Sequence, residues 1–175
     1  MNLFPVVDES KSIFLRGNVP SSKNSKEIGF YFLSHDDIRA GKKSNWLFNQ
    51  NGTYKMIRPS LRNSDIADEY IKMIVDQIIL GKPKFKELIK DKPKPLRLQL
   101  HFVRDSKRDF DFHNMVQIIG DCLSGHYWED HKTIPHIATK WIEDDNIDEV
   151  LFVPPLQAPF YSVDKEGAGV WITPL

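Results

Sequence analysis

The feature that most constrains the fold is a change in the spacing of apolar residues between positions 96 and 123. From Leu96 to Phe102 apolar and polar residues alternate, which is the pattern of a strand with one buried face. The spacing then becomes helical, with one apolar stripe formed by Met115, Ile118, Ile119, Cys122 and Leu123. A strand and an amphipathic helix that share one core predict an α+β protein.

Other segments predict the remaining elements of this fold. Ser64 is a good N-cap, and the apolar spacing after it predicts a helix over 64–80 that ends at Gly81. Asn51-Gly52 predicts a hairpin turn, and the stretch 82–95, with six lysines and three prolines, predicts an exposed connection in which 85–89 can form a helical turn. Residues 124–140 are interpreted as a long excursion or insertion. Short strands are predicted at 13–15, 28–33, 46–48, 54–57, 150–153 and 169–173.

Length and composition favour one compact domain over residues 1–175, with a mixed β-sheet and two principal helices. Hydrophobic residues make up 41% of the chain, which is enough for one core. Cys122 is the only cysteine, so an intramolecular disulfide and a cysteine-based zinc site are excluded. The sequence has no basic signal region and no run of about 18 apolar residues. We therefore expect a cytoplasmic protein with no membrane association.

The formal net charge of zero conceals a strong asymmetry along the chain. Residues 1–108 carry 21 Lys and Arg against 12 Asp and Glu, or +9, whereas residues 109–175 carry 3 against 12, or −9. A basic surface that binds phosphates beside an acidic pocket that binds cations is what a nuclease requires. An uneven spread of ordinary surface charge is the alternative interpretation.

Two groups of acidic residues stand at the ends of predicted elements. Asp109 and Asp111 follow the strand that begins at Leu96, and Asp144 and Asp145 precede the strand 150–153. If the two groups converge, their carboxylates form a site for one or two Mg²⁺ ions, which hydrolyse phosphodiesters by activating water. An Asp-x-Asp motif alone is weak evidence, because a solvated acidic turn has the same sequence.

The wider context of these acids resembles the RusA family of Holliday junction resolvases, endonucleases that come mostly from phages and prophages. The resemblance rests on the string 107–114 opening onto a helix, and on the acidic turn 141–145. The loop 20–25 (Pro-Ser-Ser-Lys-Asn-Ser) and the segment 169–173 are similar to the family's opening loop and final β segment. Together the matches extend over about residues 13 to 173.

The resemblance implies a Mg²⁺-dependent endonuclease, with Mn²⁺ as a substitute, that resolves branched DNA such as four-way junctions. It implies Asp109, Asp111 and Asp145 as catalytic metal ligands, with Asp144 as the nearest rival for the third place. A homodimer is expected, because a four-way junction offers two equivalent strands to a two-fold symmetric protein. Candidate nucleic-acid contacts are Lys23, Lys26, Lys107, Arg108, Asn114 and Gln117.

Two departures from the family pattern concern the helix after the aspartates. Phe112 and His113 separate Asp111 from Asn114, whereas the family's helix starts directly after the second aspartate. Gln117 stands where the family carries a lysine that neutralises charge in the transition state. This chain is therefore also compatible with a junction-binding protein that has lost catalysis.

Several further alternatives remain open from the sequence. The function can also be that of a general nuclease acting on flaps or RNA, or of a phage assembly protein. His126, His131 and His136 have a spacing that favours structural or surface roles over a zinc site. Asp121 is either a fourth acid or a solvated one. The rings of Trp128 and Trp141 are expected to pack in the core, with stacking on an unpaired base as the alternative.

Overall fold

The structure is a computed structural model that describes residues 7–20, 26–32, 45–48, 54–106, 111–128, 134, 136–155, 160–161 and 167–175. Its strands are β1 (Ile13–Arg16), β2 (Lys26–Phe32), β3 (Asn45–Phe48), β4 (Tyr54–Asn63), β5 (Leu96–Arg104), β6 (Val150–Val153), β7 (Phe160–Tyr161) and β8 (Gly169–Pro174). Its helices are α1 (Asp65–Ile89), α2 (Phe112–Ser124) and the short α3 (His136–Thr139), with 3₁₀ turns at Glu9–Lys11 and His126–Trp128.

The main sheet is mixed and has the strand order β1-β8-β5-β6, with β7 also paired to β5. Strand β5 lies at its centre, antiparallel to β8 and parallel to β6 and β7. The predicted α+β class and the predicted mixed sheet are thus confirmed. Residues from the basic half of the chain pair with residues from the acidic half in this sheet, since β5 joins β6 and β1 joins β8.

The alternating and helical patterns at 96–123 are confirmed as the elements that build the core. In β5 the side chains of Leu98 and Leu100 are fully buried, and the apolar stripe of α2 is buried along its length. Helix α1 adds Tyr70, Ile74 and Ile78 to the same cluster. The core therefore lies between the main sheet and the two long helices.

Helix α1 does not end at Gly81 but continues through Pro83 to Ile89, so the prediction of an exposed connection beginning at Lys82 was wrong for its first half. The reason lies in packing. A Cβ on Gly81 would lie 2.8 Å from Cζ2 of Trp141, so this glycine allows a close approach and does not terminate the helix. Beyond it, the buried side chain of Phe85 stacks on Trp141, with ring centroids 4.7 Å apart. Tertiary contacts thus stabilise the helix beyond Gly81 and Pro83, two residues that disfavour helical structure.

A second, three-stranded antiparallel sheet has the order β2-β4-β3. Strands β3 and β4 pair from Asn45 with Ile57 to Phe48 with Tyr54, which confirms the predicted hairpin. The Asn51-Gly52 turn itself lies outside the described residues. Within the part of the chain that the structure describes, no helix combines the length and the apolar character needed to cross a bilayer.

The described parts of residues 124–140 pack against the rest of the protein. Trp128 and Thr139 are buried, and the Nζ of Lys82 on α1 donates to the carbonyl oxygen of Ile137. Just beyond, Trp141 is 4% exposed, and its Nε1 donates to the carbonyl oxygen of Ile78 at 2.7 Å. The indole therefore ties the chain that follows α3 to the middle of α1.

Trp141→Phe tests this connection. The substitution removes the buried hydrogen bond to Ile78 and leaves space around the smaller ring, so we expect a loss of about 2 kcal/mol in the free energy of unfolding. Urea unfolding followed by circular dichroism measures it. Trp171→Phe, in the half-buried middle of β8, is the matched control and is expected to cost less. Equal losses in the two variants would contradict a special role for Trp141.

Candidate metal centre

Asp121, His126 and Asp145 form the one cluster of potential metal ligands found among the described residues. Each offers one ligand atom, and these atoms all lie within 4.8 Å of one another. Asp121 and Asp145 are partly buried, and His126 is exposed. Two carboxylates and one imidazole are a ligand set that divalent cations accept, and the exposed side leaves room for water or substrate.

Asp121 and His126 meet because the chain reverses at the C-terminal end of α2. Gly125 caps the helix in the left-handed conformation, with φ 82°, and its N–H donates to carbonyl oxygens in the last turn. The 3₁₀ turn that begins at His126 then lies beside that last turn. As a result, Nδ1 of His126 is 3.9 Å from Oδ1 of Asp121.

Asp145 reaches the cluster because residues 141–142 bind the same end of α2. The N–H groups of Trp141 and Ile142 both donate to the carbonyl oxygen of Leu123, at 2.7 and 3.2 Å. This carbonyl belongs to the last turn of the helix, which has no partner within the helix itself. Gly120 completes the arrangement, since a Cβ there would lie 3.2 Å from Oδ2 of Asp145. The lack of a side chain at position 120 thus allows Asp145 to lie against the helix.

Asp144 lies beside the cluster and organises the turn. Its Oδ1 accepts the backbone N–H of Asp145 at 2.7 Å, and its Oδ2 accepts the side-chain amide of Asn146 at 3.0 Å. These hydrogen bonds lower the pKa of Asp144, so its carboxylate stays ionised. Nε2 of His126 is 3.9 Å from Oδ1 of Asp144, which places the imidazole between Asp121 and Asp144.

Asp145 has the opposite electrostatic character. Burial, the neighbouring Asp144 side chain and the negative charge of Asp121 together raise the pKa of Asp145. Moreover, the C-terminal end of a helix carries partial negative charge, which disfavours the carboxylates of Asp121 and Asp145 there. A bound divalent cation would relieve both kinds of repulsion.

Tyr127 fixes the orientation of Asp121 from the opposite side. Its hydroxyl donates to Oδ2 of Asp121 at 3.0 Å, while Oδ1 is the oxygen nearer to His126. Burial, followed by the charge of Asp121, raises the pKa of Tyr127 well above its ordinary range, so the phenol keeps its proton and remains a donor. One oxygen of Asp121 is therefore held by Tyr127, and the other faces the cluster.

The cluster that contains Asp145 does not include Asp111, the other described aspartate of the predicted ligand set. Asp111 is the N-cap of α2 and accepts the N–H of His113 at 3.0 Å, whereas Asp145 lies against Gly120 near the other end. Ten residues separate Asp111 from Asp121, which is about 15 Å along a helix. Ligands of one Mg²⁺ lie about 2.1 Å from it, so Asp111 and Asp121 are too far apart to bind the same ion. Asp111 is thus a helix cap, and Asp145 lies beside Asp121 and His126.

Most of the other predicted site residues lie outside the described residues, namely Lys23, Lys107, Arg108 and Asp109, together with the side chain of Lys26. Asn114 and Gln117 lie on the polar side of α2, opposite its buried stripe, and Asp121 continues the same side. This polar face leads from the Asp111 end of the helix to the metal centre.

The sequence pattern left Asp121 open between a fourth acid and a solvated one, and it gave His126 a structural or surface role, so the cluster was not predicted. The available signal was the glycine between them. A Gly at the end of an amphipathic helix commonly adopts the left-handed conformation that reverses the chain. A histidine directly after Gly125 is thereby returned to the last turn, where Asp121 lies.

Comparisons with known proteins identify no family model, no curated protein and no solved structure that matches this chain.

Asp145→Asn should stabilise the protein in EDTA at pH 7. An acid whose pKa is raised on folding stabilises the folded state below its unfolded pKa, and that stability is lost as pH rises through the raised value. At pH 7 the ionised Asp145 therefore destabilises the folded state, and because the side chain is only partly buried we expect a gain of roughly 1 to 3 °C in melting temperature.

Thermal unfolding at several pH values measures this gain, which should shrink as pH falls through the raised pKa of Asp145 and vanish below about 4, the ordinary pKa of an aspartate. Asp148→Asn, at an exposed position of the same turn, controls for the loss of one negative charge. A variant at position 145 that is less stable than the wild type at pH 7 would show that the ionised carboxylate has a favourable partner.

Proposed function

We propose that this protein is a metal-dependent endonuclease that cuts branched DNA through an ion bound by Asp121, His126 and Asp145. The observation that carries the proposal is the convergence of these three side chains at the C-terminal end of α2. Mg²⁺ is the proposed physiological ion, with Mn²⁺ as its substitute. The ligand set differs from the one expected from the sequence, because Asp111 lies at the other end of the helix.

The residues around the cluster support hydrolysis of a phosphodiester. When bound, a divalent ion polarises a phosphoryl oxygen and lowers the pKa of a coordinated water. Tyr127 holds Asp121 in place, and Gly120 leaves space for Asp145 beside the helix. Asp144 remains ionised and lies 3.9 Å from His126, so it can orient the imidazole or accept a proton from water.

The charge distribution supports DNA as the substrate. Strands from residues 1–108, which carry a net charge of +9, pair with strands from residues 109–175, which carry −9, so the basic and the acidic half belong to one folded unit. Basic side chains supply the affinity for the phosphate backbone, whereas the acidic cluster binds the cation. Asn114 and Gln117 lie on the face of α2 that leads to the cluster. Their side chains can therefore make polar contacts to a DNA strand that lies along this face.

The resemblance to the RusA family supports branched DNA as the substrate class and a homodimer as the active form. A four-way junction is itself symmetric, so two copies related by a two-fold axis would present one metal centre to each of two strands. The proposal therefore retains the substrate and the dimer that the resemblance implies, and it places the ion at the other end of α2.

Cleavage of a labelled four-way junction tests the proposal. We expect nicks in the presence of Mg²⁺ and none in EDTA. Asp145→Asn should reduce the rate at least about 100-fold, because a lost metal ligand removes several kcal/mol of transition-state stabilisation. Asp148→Asn changes the same residue type in the same exposed turn and should cut at the wild-type rate.

Three outcomes would contradict parts of this proposal. Junction binding without nicks would show a binding protein without catalysis. Faster cutting of flaps or RNA than of the junction would show a nuclease of another substrate class. Full activity in the Asp145→Asn variant would show that the ion lies elsewhere.

The choice of metal tests the role of His126. Mg²⁺ strongly prefers oxygen ligands, whereas an imidazole is a usual ligand of transition-metal ions. We therefore expect Mn²⁺ to bind more tightly than Mg²⁺ in calorimetric titrations. His126→Ala should weaken Mn²⁺ binding about tenfold if the imidazole contributes about 1.4 kcal/mol, and it should affect Mg²⁺ less. An equal effect on the two ions would argue that His126 orients the carboxylates and does not bind the metal.

A further inference from the structure

A cavity of about 350 Å³ lies between α1 and the segment that follows α2. Its apolar walls come from Ile71 and Val75 on α1 and from Trp128 and Ile134 on the opposite side. Asp68 and Lys72, also on α1, add an acid and a base to the lining. Tyr127 completes the described lining.

We propose that this cavity binds one unpaired nucleobase of the DNA strand whose phosphate lies at the metal centre. The inference rests on the proposed function and specifies its substrate. Tyr127 connects the two places, because its ring lines the cavity and its hydroxyl donates to the metal-centre residue Asp121 at 3.0 Å. A base and a phosphate of the same strand are close enough to occupy two sites that share one side chain.

The chemistry of the lining fits a nucleobase. The flat faces of a base are apolar and stack on aromatic and aliphatic side chains, while its edge carries hydrogen-bond donors and acceptors. Tyr127 and Trp128 supply two aromatic rings, with centroids 6.3 Å apart. Lys72 can donate to a carbonyl oxygen of the base, and Asp68 can accept from a ring N–H or an amino group. The cavity thus offers apolar walls and both kinds of polar partner.

The size of the cavity selects an unpaired base. Ligand cavities in proteins range from roughly 300 to 1,000 Å³, so this one is near the small end and suits a single base or nucleoside. A base pair within a duplex is too wide and is held in the stack by its neighbours. A base must therefore be free of its partner, as at a branch point or in a single strand, to enter.

Binding of short single-stranded DNA in EDTA tests the inference without requiring cleavage. The probes are a pentathymidine and its five versions that each lack one base but keep the backbone. For the wild type we expect one position at which the missing base weakens binding at least about fivefold. In Lys72→Ala that difference should fall below about twofold. Lys90→Ala, which removes the same charge from an exposed site just beyond α1, should retain it.

Two further binding measurements complete the test. Thymidine, which has the base but no phosphate, should compete with the pentathymidine, whereas deoxyribose 5-phosphate, which has the phosphate but no base, should not; the opposite result would show a site for phosphate alone. Tyr127→Phe keeps the ring and should retain base selectivity. Equal binding of all six probes, or equal losses in the Lys72 and Lys90 variants, would overturn the inference. Base-selective binding combined with uncut junctions would instead leave this inference standing and remove the proposed nuclease function.

Discussion

The connection between the parallel strands β5 and β6 determines where the functional residues of this protein lie. In the chain, helix α2 comes between β5 and β6, and because these strands are parallel it must return the chain from the end of β5 toward the start of β6. The end of β5 and the start of β6 are therefore at opposite ends of the helix. Asp111 follows β5 and caps the N-terminal end of α2, while Asp145 precedes β6 and lies at the C-terminal end. Any site that uses Asp145 within one chain must therefore be built around the last turns of α2.

That end of α2 is assembled from contacts that hold negative charge together. Two N–H groups from the acidic turn bind the carbonyl oxygen of Leu123, and the buried Trp141 anchors the same turn to α1. These contacts bring Asp145 to Asp121 although burial and mutual repulsion raise its pKa. Sites of function commonly keep such unfavourable electrostatics, since a ligand relieves them. The packing of the surrounding core thus holds the carboxylates of Asp121 and Asp145 close together, and a bound cation would stabilise this arrangement.

The sequence was sufficient for the elements that depend on local spacing of apolar residues. The buried faces of β5 and α2 and the N-cap at Ser64 follow directly from residue pattern. Two predictions concerned features that depend on contacts between distant residues, which local spacing does not reveal. Gly81 indicated a helix end because its contact with Trp141 cannot be deduced from neighbouring positions. The acidic groups were expected to converge because both stand at strand ends, although a parallel crossover separates them. Asp121 and His126 came together through the reversal at Gly125, which the sequence signals only weakly.

The central claim is that one divalent ion binds between Asp121, His126 and Asp145. Paramagnetic broadening of backbone amide signals by substoichiometric Mn²⁺ tests it directly, because the effect decreases steeply with distance from the ion. The signals of residues 120–127 and 143–147 are expected to broaden first, and those of residues 112–115, roughly 9 to 14 Å from Asp121 along α2, are expected to broaden only at higher Mn²⁺ concentration. Broadening that begins at residues 112–115, or that spreads evenly over the acidic surface, would contradict the central claim.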